Sequence, residues 1–377
     1  MYDRTARSAL LNSACSRALI IALSTPIVLG ASLMCPGLSS AHAGSALPSG
    51  GHYVSGSGAI SKKGSTGLDV SQSSATGIID WSSFSLGRGN AVRFDNGTGA
   101  TLNRVTGGNL STIAGSLSAT GSLYLINPQG VIVSKSGRVV TGGSFVASSR
   151  DESNSDFVDG ERRFRGSSRG DVSNEGVIRS SNGDVALIGH SVANSGTLSA
   201  AQGTASLNAA NHVLLEPAGS RVLIGGGGGD ASNSGTIAAA QAQLNAAGGN
   251  VYALAGNNGG IIRATGTKTI GGHVWLTSKT GDVTVAGTVT AANSNGSGGA
   301  VTARAGNINV SGKIDASATT ATSTGGNVSI IAKGTTKLTG TIGQGREPRQ
   351  GRSRRDFGPR SENRRNRDSR IRRTLAS

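Results

Sequence analysis

Along most of the chain, aliphatic residues stand at every second position in short runs, and glycine or small polar residues fill the gaps. GDVALIG (183–189), GNVYALAG (249–256), GHVWLTS (272–278), GDVTVAG (281–287), GNINVSG (306–312) and GNVSIIA (326–332) all open with Gly and a polar or His residue, then alternate. A period of two residues predicts strands of three to five residues, one side facing a core. A second pattern overlies the first. Asn174-Glu-Gly176-Val-Ile178, Asn194-Ser-Gly196-Thr-Leu198 and Asn233-Ser-Gly235-Thr-Ile237 repeat Asn-x-Gly-x-aliphatic at spacings of 20 and 39 residues, read as one and two units. Degenerate copies follow at Gly287-Thr-Val289, Gly312-Lys-Ile314 and Gly340-Thr-Ile342. Short strands recurring at this length predict an all-β solenoid, in which each coil pairs its backbone with the next and buries a narrow aliphatic column. A β-sandwich would carry more aromatic residues and no repeat.

Composition supports that picture. The 377 residues include 60 Gly, 7 Pro and 3% aromatics, without the Gly-X-Y period of collagen. The recurring aliphatic residues distinguish the chain from a disordered linker. Residues 1–43 read as a signal peptide: Arg4, Arg7 and Arg17 precede the apolar run ALIIALSTPIVLGASLM (18–34), and Ala41-His42-Ala43 supplies the cleavage signal at Ala41 and Ala43. A membrane anchor is the alternative, but Pro26 and Gly30 interrupt a run that is short for a span. A lipoprotein reading through Cys35 lacks the usual small-residue box. Both cysteines, Cys15 and Cys35, fall in this segment, so the expected mature chain has none and no later segment to span a membrane as a helix. Of the net charge of +16, +8 sits in residues 346–377 and +2 in the first 43 residues, leaving +6 for the rest. The body is therefore only mildly basic, and no nucleic-acid partner is expected. The Arg-rich tail reads either as a disordered segment that binds acidic polymers or as out-of-frame translation.

Two segments break the repeat. Residues 150–170, RDESNSDFVDGERRFRGSSRG, concentrate charge and carry Phe157 and Phe164 without alternation. They read as a loop extruded from the solenoid, with both rings tucked against its side. Residues 121–149, GSLYLINPQGVIVSKSGRVVTGGSFVASS, place Asn127-Pro128-Gln129-Gly130 between two apolar runs. Pro presets φ at the second turn position, Asn bonds back to the backbone at the first, and Gly suits the fourth, so a type I turn is expected.

Residues 103–148 resemble the N-terminal secretion domain of filamentous haemagglutinin-type exoproteins of two-partner secretion (TPS). The resemblance rests on Asn103-Arg104-Val105 and on Asn127-Pro128-Gln129-Gly130-Val131, which matches the family's Asn-Pro-Asn-Gly-Ile box except at Gln129 and Val131. Residues 156–189 also resemble the family, and the likeness extends over roughly residues 50–290. It implies a right-handed parallel β-helix with N-terminal capping strands, recognised in the periplasm by the POTRA modules of an outer-membrane transporter. It also implies partner contacts through Asn103, Arg104, Val105, Asn127, Pro128, Gln129 and Gly130. The expected organisation is a signal peptide over 1–43, a TPS domain with the NPQG box and extruded loop over 44–170, continuing repeats over 171–345, and the tail over 346–377. The expected product is a secreted or cell-surface adhesin that meets a host-cell or glycan ligand.

Catalytic chemistry finds little support in the residues. The carboxylates Asp171, Glu175, Asp184, Glu216, Asp230, Asp282 and Asp315 are scattered, and His190, His212 and His273 lack ligand spacing. Gly225–Gly229 has no following Lys-Ser/Thr and reads as a flexible turn. No catalytic, cofactor or metal residues are assigned. The rival readings are an autotransporter passenger, which requires a membrane barrel, and a polysaccharide-active β-helix enzyme, which requires clustered carboxylates. Arg169-Gly170-Asp171 is either a receptor-binding tripeptide or a structural Arg–Asp pair where the loop rejoins the coils.

Overall fold

The computed structural model describes residues 46–216, 221–255 and 260–344; the expected cleavage site at Ala41 and Ala43 and the Arg-rich tail lie outside these residues. Three parallel faces wind into a right-handed β-helix. The first face runs from Gly67–Gln72 through Ala91–Asp95, Ser116–Ala119, Arg138–Thr141 and Val177–Ser180 to Thr341–Gly343. The second runs from Thr76–Trp81 through Ala100–Val105, Ser122–Ile126, Phe145–Ser148 and Val185–Gly189 to Asn327–Ala332. The third has nine strands, from Ser111–Ile113 and Val131–Val133 to Thr336–Leu338. Most strands are as short as their patterns predict. Thr197–Ala209 and Thr236–Ala246 are longer because each continues from the first face into the second.

The repeat motif acquires a physical meaning in this stack. Its aliphatic residue points inward, so Ile178, Leu198, Ile237, Ile262, Val289, Ile314 and Ile342 follow one another in register on the first face. Its glycines also stack. A Cβ on Gly196 or Gly235 would meet the carbonyl of the glycine one coil earlier, so only a residue without a side chain permits that approach. Its asparagines are buried and form a ladder: Asn174 Nδ2 donates to Asn194 Oδ1 at 2.8 Å, and Asn194 Nδ2 to Asn233 Oδ1 at 2.7 Å. Each also donates to the carbonyl of the glycine two residues on. Asn194 and Asn233 are partners on adjacent coils, so the 39-residue spacing is not two units; it is one coil carrying an insertion.

The amino-terminal end is closed by antiparallel strands, as expected. His52–Ser55 pairs with Thr76–Trp81, and Gly58–Lys63 pairs with Gly67–Gln72. Lys62 and Lys63 are exposed on this outer strand and discourage pairing with another chain. Beneath it, Trp81 meets Phe84 edge-on at 5.3 Å and Phe84 stacks on Phe94 at 6.5 Å.

The extruded segment is more than a loop. Asp151–Glu152, the helix Asn154–Asp159 and Arg162–Arg165 are joined by His212–Leu215 and Leu223–Gly225 in a four-stranded antiparallel sheet. Its second half comes from the insertion that stretches the Asn194–Asn233 spacing. Gly225 ends a strand there, and Gly226, at φ 75°, makes the following turn. Phe157 and Phe164 are fully buried against the outer side of the second face, with Ile78, Leu102, Tyr124, Ile126 and Val146. That explains why strands such as Ser122–Ile126 and Val185–Gly189 read as unbroken apolar runs: both their sides are covered. Among the described residues, no helix is long and apolar enough to cross a membrane.

Candidate functional site

Asn127-Pro128-Gln129-Gly130 lies where the second face turns into the third, and its four residues do different work. Asn127 is fully buried. Its Oδ1 accepts the Gln129 amide at 2.9 Å, its carbonyl accepts the Gly130 amide at 2.9 Å, and its Nδ2 donates to the Asn109 carbonyl and Ser111 Oγ, both at 2.9 Å. One amide side chain therefore closes the turn and ties it to the preceding coil. Gly130 adopts φ 113°, and a Cβ there would press on the Asp171 carbonyl of the next coil. Pro128 and Gln129 are exposed.

Asn103, Arg104 and Val105 stand one coil earlier on the second face. Asn103 is fully buried: its Oδ1 accepts from Trp81 Nε1 at 3.0 Å and its Nδ2 donates to the Tyr124 carbonyl at 3.2 Å. Val105 belongs to the main core. Arg104 grips the extruded segment, donating to Asp151 Oδ1 at 2.9 Å, Asn154 Oδ1 at 2.9 Å and the Glu152 carbonyl at 2.7 Å, with Asp80 3.5 Å away. Of the seven residues singled out in the sequence, Pro128 and Gln129 are thus the ones with exposed surface; Asn103, Val105, Asn127 and Gly130 are interior.

Two buried charged residues beneath the extruded sheet carried no sequence signal. Arg150 is fully buried and forms no ion pair among the described residues, and burial pulls its pKa below the ordinary guanidinium value. It donates to the Ala210 carbonyl at 2.7 Å, the Ser168 carbonyl at 2.6 Å and Asn211 Oδ1 at 3.2 Å, clipping the two insertions together. Glu152 is also fully buried. Burial pushes its carboxyl up to about 8 against the lowering effect of Arg162, 3.5 Å from Oε1, while Oε2 has no hydrogen-bond partner among the described residues. Arg162 lies over the rings of Tyr124 and Phe157 at 4.9 and 4.8 Å and donates to Tyr124 Oη at 2.9 Å.

The third face brings the NPQG turn beside Arg169-Gly170-Asp171, two elements far apart in the notation of the repeat. A cleft of about 550 Å³ is lined by Gln129, Gly130, Leu110, Ile132, Arg169 and Asp171, among others. Leu110 is 44% exposed, a large apolar side chain open to solvent at its rim. The Asp171 carboxylate accepts the Ser191 amide at 2.9 Å, so the aspartate of the tripeptide is engaged with its own fold, while Arg169 is exposed. No ion pair joins Arg169 and Asp171 among the described residues.

Three of the other carboxylates, on separate coils, open strands as caps. Asp184, Asp230 and Asp282 each accept the backbone amide of the next coil, from Thr204, Asn250 and Asn307, at 2.7–2.8 Å. Asn250 and Asn307 do the same, their Oδ1 atoms accepting the Asp282 and Thr335 amides at 2.8 Å, which accounts for Gly-Asp and Gly-Asn as strand openings. His273 stacks on Trp275 at 3.6 Å, and burial holds it down at about 4, so it is uncharged at neutral pH. Among the described residues, no group of three or more His, Cys, Asp or Glu side chains is placed to hold a metal ion.

Comparison with known proteins places these features in a family. Residues 45–268 match the TPS secretion domain, more than half of the chain. The HMW1 secretion domain of Haemophilus influenzae superimposes with a TM-score of 0.69 at 25% identity, covering 78% of this chain and 83% of that one. Two heme/hemopexin-binding proteins of H. influenzae are 39% and 38% identical over 101 and 92 residues. Those stretches are 26% and 24% of this chain but only 11% and 10% of the relatives, so the match spans about a tenth of their length. The chain belongs to the TPS secretion domain family of two-partner secretion exoproteins.

Proposed function

We propose that this protein is a secreted or cell-surface exoprotein whose secretion domain is recognised by the POTRA modules of a dedicated outer-membrane transporter, after delivery to the periplasm by a signal peptide over residues 1–43. Adhesion is its role once outside. The observation that carries the reading is the division of labour at the NPQG turn. Asn127 and Gly130 build the turn, which leaves Pro128 exposed and sets Gln129 in a cleft beside the exposed Leu110. Gln129 and Leu110 line one concave surface with Ile132 and Arg169, which offers a protein partner both polar and apolar contacts. Successive coils contact mainly their neighbours, so a chain emerging through a pore can add one coil at a time.

The test separates display from folding. Leu110→Asp and Gln129→Lys, both on the surface, are expected to reduce export through the cognate transporter severalfold while the purified domain keeps its unfolding midpoint. Asn127→Ala is expected to lower both. Normal export of the two surface variants would remove the cleft from recognition and leave the NPQG box a purely structural device.

A further inference from the structure

Beyond the family match, the first face changes character. In the early coils the connection from first to second face is short, as at Thr120–Gly121. In three successive later coils it lengthens to residues 266–272, 293–299 and 316–326. These loops rise beside the outer surface of the first face and enclose two clefts of about 660 and 750 Å³. The clefts share Arg263, Thr265 and Ser294, so they form one trough running along the helix axis. The match to the secretion domain ends at residue 268, so Arg263 and Lys268 lie inside it, while the walls at residues 293–296 and 317–320 lie beyond it.

The wall is built before any ligand arrives. Ser294 Oγ donates to the Thr267 carbonyl at 3.0 Å, the Gly272 amide to Asn293 Oδ1 at 2.9 Å, and Thr319 Oγ1 to the Gly296 carbonyl at 3.1 Å. Each loop is thereby tied to the next, which limits the ordering entropy that binding requires. The floor is a ladder of strands about 4.8 Å apart, so side chains recur along the axis at nearly the repeat of an extended sugar chain. Ser, Thr, Asn and Gln side chains alternate with Ala and Gly along the lining, and no aromatic residue is among the described residues that form it. Its charge is positive. Arg263, in register between Ala238 and Thr290, and Lys268 are exposed and form no ion pair among the described residues. Asp315, the carboxylate of the lining, is occupied by Lys313 at 2.9 Å.

We infer that this trough binds a linear anionic polysaccharide, its uronate or sulfate groups on Arg263 and Lys268 and its hydroxyls on the Ser, Thr and Asn side chains of the wall. Recognition without aromatic stacking rests on hydrogen bonds and charge, and so weakens as salt rises.

The probe is hexagalacturonate, titrated calorimetrically into the full chain, with hydrogen exchange reporting the footprint. Binding is expected to slow exchange within residues 263–269 and 293–296 and to be absent for neutral maltohexaose. Arg263→Ala with Lys268→Ala, both on the surface, is expected to lower affinity about tenfold or more, whereas Arg88→Ala with Arg138→Ala, exposed in the early coils, leaves it unchanged. Four results would overturn the inference: no binding at millimolar ligand, a footprint elsewhere, affinity retained in the Arg263/Lys268 variant (which would move binding to the Arg-rich tail), or equal competition by a single-stranded oligonucleotide.

Discussion

At the scale of single residues, the molecule depends on amide and carboxyl groups held away from water. Asn194 sits mid-ladder, accepting from Asn174 and donating to Asn233. Replacing it with Ala removes the Asn174 amide's acceptor and the Asn233 side-chain carbonyl's donor within the buried ladder, and a loss of about 2 kcal/mol is expected from the urea unfolding midpoint. Glu152 gives the opposite kind of prediction. Its folded value of about 8 lies above the ordinary 4.5, so the folded state holds a proton that the unfolded state releases. The favourable contribution is complete below pH 4.5 and disappears as pH rises towards 8. Glu152→Gln preserves shape and neutrality. The variant should match wild type in acid and be the more stable protein above pH 8; equal pH slopes for the two proteins would refute the assignment. Asn194 is visible in the sequence through the Asn-x-Gly-x-aliphatic repeat, whereas Glu152 lies in a charged, irregular stretch and only tertiary burial makes it unusual.

At the scale of elements, the extruded sheet is a joint product of two insertions separated by a full coil. Arg150 holds them together through the carbonyls of Ser168 and Ala210. Arg150→Ala is expected to destabilise the sheet by on the order of 3 kcal/mol, because buried carbonyls lose their donors. Limited proteolysis should then cut within residues 210–225 while the coils remain resistant; uniform resistance would mean that the clip is redundant. The first insertion was legible as a break in the alternation, and its two phenylalanines as residues needing cover. The second was not, because HVLL reads as a short apolar strand like those of the coils, and only the register of Asn194 against Asn233 shows that it lies outside the column.

At the scale of the whole molecule, stacking makes the fold nearly one-dimensional, and whole coils are interchangeable units. Deleting residues 288–312 joins Gly287 to Lys313, and the strands that become neighbours already occupy equivalent positions on all three faces. The shortened chain should retain the far-ultraviolet circular dichroism of a β-protein and a cooperative urea transition. It should also lose the middle wall of the trough, and with it the binding of hexagalacturonate. Aggregation of the shortened chain would show that the later coils are coupled beyond nearest neighbours.

The amino-acid order alone specified a parallel β-solenoid, because a two-residue alternation interrupted by glycine and asparagine at coil spacing leaves the backbone few ways to satisfy itself other than by pairing with the next coil. It also pointed to the capping strands and the family, through Asn103-Arg104-Val105 and the NPQG box. Three-dimensional packing decided what those residues do. It buried Asn103, Val105 and Asn127, exposed Pro128 and Gln129, and set the turn beside Arg169 and Leu110. Such proximity arises between strands on neighbouring coils, whose separation in the chain varies with every insertion, so no local pattern encodes it.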